Sequence, residues 1–403
     1  MKILLVTSEV PHANVVGGHT IVRERVTRLA EMGHQVGLAA FAGNGKHRQA
    51  DELKSLLYEL ELVDAPRRRS WFKCLLDYFF SGIPVKFQPM HSKAMAQCIG
   101  NMVHRSHYDV LIAEFSAMGQ YIHWNPYLPA VRKIVSCHRS ETIMYRIAHN
   151  VQGNMVTRIR DRIVMKGLTK YEFDMYRSAD RVLVMTPQER WSLLNYAPNL
   201  QISVVPSGVD ALRFRPPRYE STEQCIMFTG YYCDKPNEDA ALWFGNKVWP
   251  QLRERHAELK FYMVGPEPTD AMREMARRDK RMIITGRVKD IRDYLARAQI
   301  FVCPVRLGTG MRGKIIEAMA GGVPLVSTTL GVEGIPAQTG YNCFLADRPD
   351  IMLRHIDLLL GDPPLRRSIA KRAREMVVER FSWRHVIALL DQVLQETVPG
   401  TGR

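Results

Sequence analysis

Two successive runs of short apolar segments, each alternating with helix-length stretches, constrain this chain more than any other feature. The first run opens with KILLVTS at 2–8 and continues through QVGLAAF, YDVLIAEF, KIVSCH, RVLVMT and ISVVP. The second restarts with CIMFTG at 225–230 and passes through LKFYMVG, MIITG, IFVCPV and PLVST. Segments of this length with continuous apolar character read as strands buried on both faces. Between them, Thr20–Met32 places Ile21, Val22, Val26, Leu29 and Ala30 on one side of a helix, and Gly33 stops it. Asp239–Leu252, Ile291–Arg297 and Met311–Ala320 read as further helices. The alternation predicts the α/β class, with parallel sheets covered on both faces. SGVDALRFRPPRYEST at 207–222 has the composition of a linker, so two doubly wound domains are expected. Ligands of such sheets sit outside the carboxyl ends of the strands, and two facing domains imply a cleft. Helices at Ile351–Leu360, Pro364–Val378 and Trp383–Thr397 complete the chain, with FSW at 381–383 as an aromatic anchor.

The 403 residues suit two or three domains with ample core. Seven cysteines, scattered and without a Cys-x-x-Cys pair, argue for a reducing compartment and against structural zinc. The opening apolar run is too short for a signal peptide, and no 18-residue uncharged apolar stretch follows. A cytoplasmic protein is therefore expected, with peripheral contact at the inner membrane surface as a further option. The net charge of +15 is spread over both halves and suits phosphorylated ligands or an anionic membrane. No Cys/His finger, aromatic RNA-binding signature or basic coiled coil is present, so nucleic acid is not the expected partner. RRRSWFKCLLDYFF at 67–80 reads as a basic loop leading into a buried helix, with a membrane-surface segment as the alternative.

Candidate chemistry gathers at strand ends. In RLGTGMRGKIIEAMAGGVPLVSTTLGVEGI at 306–335, Gly308, Thr309 and Gly310 form a flexible turn opening a helix. Unpaired backbone N–H groups at a helix start favour an anion. Arg312 and Lys314 in the first turn oppose the helix dipole unless an anion lies between them. That points to a diphosphate, the alternative being a solvated helix start with Lys314 paired to Glu317. Glu317, one turn on, can accept two hydrogen bonds from a ribose diol. Gly17 and Gly18 in VVGGHT permit close approach to a ligand, or simply make a tight turn. His138, followed by Arg139, ends a strand where it can contact a sugar, or serves structure alone. In FTGYYCDKPNEDA at 228–240, Gly230 permits close approach, Lys235 can reach a phosphate, and Asn237 is a plausible helix cap. The backbone around Val288, in ITGRVKDI, can read a base edge or is only a connecting turn.

GGHTIVRERVTRLAEMGHQV, VVPSGVDALRFRP, the strand-end FTG and GTGMRGKIIEAMAGGVPLVSTTLGVEGI occur in this order. Together they resemble the family 4 retaining glycosyltransferases of GT-B fold, in a branch often tied to bacterial exopolysaccharide assembly. The resemblance implies two Rossmann-like domains, an N-terminal one over 1–205 on the acceptor side and a donor-side one over 206–380. It also implies that the final helix, 381–403, crosses back to the first domain. By the same resemblance Glu317 holds the ribose, the Val288 loop reads the base, Gly17 and Gly18 lie near the diphosphate, and His138 stands beside the donor sugar. Two departures stand out. The family commonly carries a second Glu eight positions before the ribose-binding one, where this chain has Thr309. It also commonly carries an Arg after the strand-end Gly, where this chain has Tyr231. Arg312 and Lys314 are expected to replace that positive charge.

The expected activity is glycosyl transfer with retention from a nucleoside-diphosphate sugar, UDP or GDP, to a hydroxyl on a saccharide, glycolipid or lipid-diphosphate acceptor. No Asp-x-Asp triplet is present, so no essential metal and no separate cofactor is expected. A nucleotide-sugar epimerase of the same fold and a non-catalytic nucleotide-sugar or membrane scaffold are the alternatives. A nicotinamide dehydrogenase is disfavoured because no dinucleotide fingerprint follows a strand.

Overall fold

The computed structural model describes residues 1–12, 18–42, 47–66, 78, 82–149, 155–218 and 221–398. Gly17 lies outside these residues, as does the 67–80 segment apart from Tyr78. Two compact units result. Unit 1 comprises Met1–Pro206 with the chain from Ile387 onward, and unit 2 comprises Ser207–Val386. The final helix, Trp383–Thr397, thus begins in unit 2 and continues in unit 1.

Unit 1 is built on a seven-stranded sheet in the order β3-β2-β1-β4-β5-β6-β7. Its strands are β1 Lys2–Thr7, β2 Gln35–Ala42, β3 Glu59–Asp64, β4 Val110–Glu114, β5 Arg132–Ser136, β6 Arg181–Val184 and β7 Ile202–Val204. Every pairing is parallel, with Ile3 opposite both Val36 and Val110 at the centre. Unit 2 carries a six-stranded parallel sheet in the order β10-β9-β8-β11-β12-β13. Its strands are β8 Cys225–Thr229, β9 Lys260–Val264, β10 Met282–Gly286, β11 Ile300–Cys303, β12 Leu325–Ser327 and β13 Phe344–Leu345. Both are Rossmann-like α/β domains.

The central strands β4, β8 and β11 are buried at every position, which is why each reads as an unbroken apolar run. The edge strand β3, ELELVD, is only partly buried and escapes that reading. Its Glu59 instead accepts hydrogen bonds from Ser106 Oγ and Tyr108 Oη, both at 2.8 Å. The expected helix over Asp239–Leu252 is two helices, Lys235–Lys247 and Trp249–Arg255. Pro236 and Pro250 each stand in a first turn, where a missing N–H costs nothing. The segment expected as a linker is packed on unit 2. Val209 N–H donates to Phe381 O at 2.7 Å, and Arg374 donates to the carbonyls of Ala211 and Phe214. Trp383 is buried against Gly208, where a Cβ would come within 2.4 Å of its ring. Among the described residues no helix is long and apolar enough to cross a membrane.

Candidate active site

In unit 1 the site forms where β1, β4 and β5 end. Glu114 closes β4 and is fully buried. Arg25, on the buried face of the Gly18–Glu31 helix, reaches it through Nη1, 2.9 and 3.0 Å from the two carboxylate oxygens. The same nitrogen donates to Ser136 Oγ at 2.7 Å. His138 Nε2 stands 2.8 Å from Glu114 Oε2. Burial alone would push the Glu114 carboxyl up, but Arg25 and His138 hold it down at about 2. Burial, with Arg25 acting in the same direction, keeps the His138 imidazole below its usual range against the pull of Glu114. A neutral ring donating from Nε2 to an ionised carboxylate leaves Nδ1 as an acceptor. His138 Nδ1 is buried and has no hydrogen-bond partner among the described residues.

Gly18 stands against this ring. A Cβ there would lie 2.4 Å from Phe115 Cε1 and 3.3 Å from His138 Nδ1. Phe115 itself holds a left-handed backbone at φ 72° and packs on His138 with ring centroids 4.3 Å apart. Such a conformation in an aromatic residue persists only when its surroundings enforce it. The loop beyond His138 is fixed from its other side by buried Glu172. This carboxylate accepts from Ser140 Oγ at 3.0 Å, from the N–H groups of Glu141 and Thr142 at 2.8 Å, and from Tyr176 Oη at 2.8 Å. Arg139 is exposed, and its carbonyl accepts from Ser116 Oγ at 2.8 Å.

In unit 2 the site forms at the carboxyl ends of β8, β10 and β11. The helix after β11 runs over Gly313–Ala320, two residues shorter at its start than the expected Met311–Ala320. Arg312 is the extended N-cap residue, so it stands before the first turn rather than within it. Gly308 and Gly310 have φ of 91° and 90°, conformations that favour glycine. Arg312 fastens this turn. Its Nη1 donates to Gly310 O and Leu330 O, both at 2.8 Å, and its Nη2 to Leu307 O at 3.3 Å. These carbonyls anchor the guanidinium, and Glu333 Oε2 stands 4.0 Å from its Nη1 as a counter-charge. Gly310 N–H donates to Glu333 Oε2 at 2.9 Å, whereas the N–H groups of Gly313 and Lys314 have no partner among the described residues.

Lys314 does not pair with Glu317. Its Nζ donates to Thr229 O and Asn237 Oδ1, both at 2.6 Å, and lies 4.4 Å from the Phe228 ring centroid. Burial, reinforced by Arg312, lowers the ammonium to about 8 against the pull of nearby acidic groups. Asn237 is therefore an anchor rather than a cap. It stands in the first turn of Lys235–Lys247, its Nδ2 donates to Tyr231 O at 3.0 Å, and a Cβ on Gly230 would come within 2.9 Å of it. Lys235 opens that helix, exposed and with no ion pair among the described residues. Arg306 pairs with Asp239 at 2.8 Å and ties this helix to the loop after β11.

Glu317 is half-buried, and its side chain has no hydrogen-bond or ion-pair partner among the described residues. Burial raises its carboxyl to about 7, against the opposing charges of Arg213 and Lys314. Val288 follows β10 in a loop, and its backbone N–H and C=O have no partner among the described residues. Thr309 lies between the two left-handed glycines.

The structure thus brings Gly18 together with His138 in unit 1. In unit 2 it joins Gly230 to Lys314 through Asn237, and Gly308–Gly310 to Arg312. Sequence reasoning missed Glu114, Arg25, Phe115 and Glu333. Arg25 had a signal: it falls at helical spacing among Ile21, Val22 and Leu29, so a charge was bound to face the core. Among the described residues no group of three or more His, Cys, Asp or Glu is placed to hold a metal ion.

The family model described as Glycosyltransferase Family 4 matches residues 15–213, and the model for glycosyl transferases group 1 matches 223–362. The chain carries a Glycosyltransferase Family 4 domain followed by a glycosyl transferases group 1 domain. Over 372 residues this glycosyltransferase is 19% identical to an uncharacterized 44.6 kDa protein in the cps region of Klebsiella pneumoniae, covering 88% of this chain and 90% of that one. Among solved structures it is similar to sucrose-phosphate synthase from Thermosynechococcus elongatus, with a TM-score of 0.72, 17% identity and 98% of each chain covered. It is also similar to HepE of Anabaena, solved with UDP and glucose, with a TM-score of 0.68, 13% identity and 98% and 99% of the chains covered. These likenesses carry the GT-B fold.

Proposed function

We propose that this glycosyltransferase moves a sugar from a nucleoside-diphosphate donor to a hydroxyl acceptor with retention at the anomeric carbon. The observation that carries the reading is Glu317, a half-buried carboxylate with no donor among the described residues, four residues beyond a helix N-terminus whose first N–H groups have no partner among those residues. A ribose diol supplies two donors to such a carboxylate, and the diphosphate it carries supplies the anion that the helix start favours. The Val288 backbone is assigned to the base. Gly308, Thr309 and Gly310 are assigned to the turn beside the diphosphate, with Gly230 leaving room for close approach. HepE, of the same fold, was solved with UDP-glucose, which supports a nucleotide-sugar donor here.

The difficult step is departure of the diphosphate while the sugar becomes cationic. The bond from the anomeric carbon to the diphosphate oxygen breaks, and a bond from that carbon to the acceptor oxygen forms. The acceptor proton passes to the leaving phosphate oxygen on the same face. Arg312, Lys314 and the exposed Lys235 neutralise the charge that develops on the leaving group. His138 Nδ1 accepts from a hydroxyl of the transferred sugar, its ring held by Glu114. The acceptor is a saccharide, glycolipid or lipid diphosphate, and the cps-region relative favours polysaccharide assembly.

Arg312→Ala is expected to lower kcat by on the order of 10²–10³-fold, the effect of losing a charge contact made in the transition state. Near-normal turnover would reject the role. The function itself is tested by following UDP-sugar and GDP-sugar consumption with and without a saccharide acceptor, and by determining the anomeric configuration of the product. Acceptor-dependent nucleotide release with a retained anomer supports the reading. Donor conversion without acceptor would favour the epimerase, and nucleotide binding without donor consumption would favour the scaffold.

A further inference from the structure

Glu172 is a fully buried carboxylate that the proposed reaction does not use. It stands on the Met155–Arg177 helix, and no Lys, Arg or His pairs with it among the described residues. Its contacts are all donors, and they divide evenly between the two oxygens. Oε1 accepts from the Glu141 N–H and from Tyr176 Oη, both at 2.8 Å. Oε2 accepts from the Thr142 N–H at 2.8 Å and from Ser140 Oγ at 3.0 Å. The two N–H groups open the Glu141–His149 helix, and Ser140 Oγ accepts from the next, Ile143, at 3.3 Å. The positive end of that helix thus balances a charge that has no cation beside it. Burial pushes the Glu172 carboxyl up, and the donors from Glu141, Thr142 and Tyr176 oppose that rise.

Only Cys137–Ser140 lie between β5 and this helix, and His138 is among them. Both ends of the span are pinned. At the near end Cys137 N–H donates to Leu183 O of β6 at 2.8 Å, so the sheet sets its position. At the far end the two backbone bonds to Glu172 do so. Tyr176 Oη also lies 2.9 Å from Ser116 Oγ, next to Phe115, whose ring packs on His138. One carboxylate therefore braces the loop that carries His138 and the segment that backs its ring.

We infer that Glu172 is a positioning residue for glycosyl transfer, holding His138 in place through the start of the Glu141–His149 helix. The inference rests on the reading of His138 as the group that accepts a hydrogen bond from the transferred sugar. An amide cannot take over this role. Each carboxylate oxygen holds one backbone N–H, so Glu172→Gln turns its NH2 group toward one of them whichever way the amide is flipped. The hydroxyls of Ser140 and Tyr176 can rotate to suit, whereas a backbone N–H cannot.

The test uses the full chain labelled with ¹⁵N in histidine, with His138 assigned by the signal lost in His138→Gln. In the wild type its imidazole is expected as one tautomer, Nε2 protonated and Nδ1 bare, as the contact with Glu114 requires. In Glu172→Gln the two nitrogen signals should move toward the averaged positions of a ring exchanging between tautomers. The same variant should lower kcat by on the order of 10–10²-fold, the effect of a misplacement of about 1 Å. Glu141→Pro removes one of the two N–H donors at the first helical position, where proline is tolerated, and leaves the carboxylate in place. It should shift the His138 signal in the same direction, and it reads the contact even if Glu172→Gln fails to fold. A His138 signal unmoved in both variants, with or without a loss of kcat, would reduce Glu172 to a structural role and overturn the inference. A shifted signal with unchanged kcat would overturn the link to the reaction. A wild type that turns over no nucleotide sugar would instead remove the role read for His138, while the histidine signal still decides whether Glu172 sets the ring.

Discussion

Arg25→Met is expected to destabilise unit 1 by about 3–5 kcal/mol, because it leaves the Glu114 carboxylate buried without its counter-charge. Glu114 is fully buried and Arg25 nearly so, so water cannot take over the lost contacts. The pair is not expected to be worth that much in itself. Removing both charges, as Arg25→Met/Glu114→Gln, should recover most of the loss, since the penalty comes from the stranded charge rather than from the missing attraction. Chemical denaturation of the two single variants and the double variant measures this directly. A single Arg25→Met change that costs less than about 1 kcal/mol would show that Glu114 is not ionised in the fold. The pair also orients His138, so the double variant should remain folded yet lose turnover, as the ring would no longer be held with Nδ1 free.

Glu317→Gln is expected to weaken nucleoside-diphosphate binding by about 2–3 kcal/mol, on the order of 10²-fold, through loss of two hydrogen bonds to a charged acceptor. Its signature is in the pH dependence. The free carboxyl titrates at about 7 because burial disfavours its charged form, and a bound diol favours the charged form. Affinity should therefore fall as pH drops through 7. Lys314 titrates at about 8 for the corresponding reason, and a bound diphosphate favours its charged form. Affinity should fall again as pH rises through 8. A bell results, with its acid limb absent in Glu317→Gln and its alkaline limb absent in Lys314→Met. The stability effect has the opposite sign. A carboxyl whose folded pKa exceeds its unfolded value stabilises the fold below the unfolded value and loses that contribution as pH rises through the folded one. At pH 8 Glu317→Gln should accordingly raise stability by ~1–2 kcal/mol while it weakens the nucleotide. Denaturant melts at pH 5 and pH 8 check the sign.

The two sheets were legible because their central strands are buried on both faces and carry unbroken apolar runs. The edge strand β3 was not, because Glu59 and Glu61 interrupt it and find partners only in the folded sheet. Helix starts were read through composition and misplaced where a proline or a left-handed glycine shifted them, as at Lys235 and Gly313. At the site, Glu317, Lys314 and the Gly308–Gly310 turn stand close in sequence, and their grouping followed from helix geometry. The partners of Lys314, Thr229 at the end of β8 and Asn237 in the helix that follows, lie more than 75 residues away, so only the parallel pairing of β8 with β11 reveals them. The Glu114–His138 pair depends in the same way on β4 lying beside β5.

The central claim is that Glu317 and the Gly313 helix start hold a nucleoside diphosphate. Thermal unfolding of the wild type and of Glu317→Gln with UDP, GDP, ADP and dTDP in turn tests it most directly. At about 100 times its dissociation constant, the matching nucleotide should add about 2.7 kcal/mol of stability to the wild type and far less to the variant. A wild type that no nucleotide stabilises, or a shift that Glu317→Gln retains in full, would contradict it.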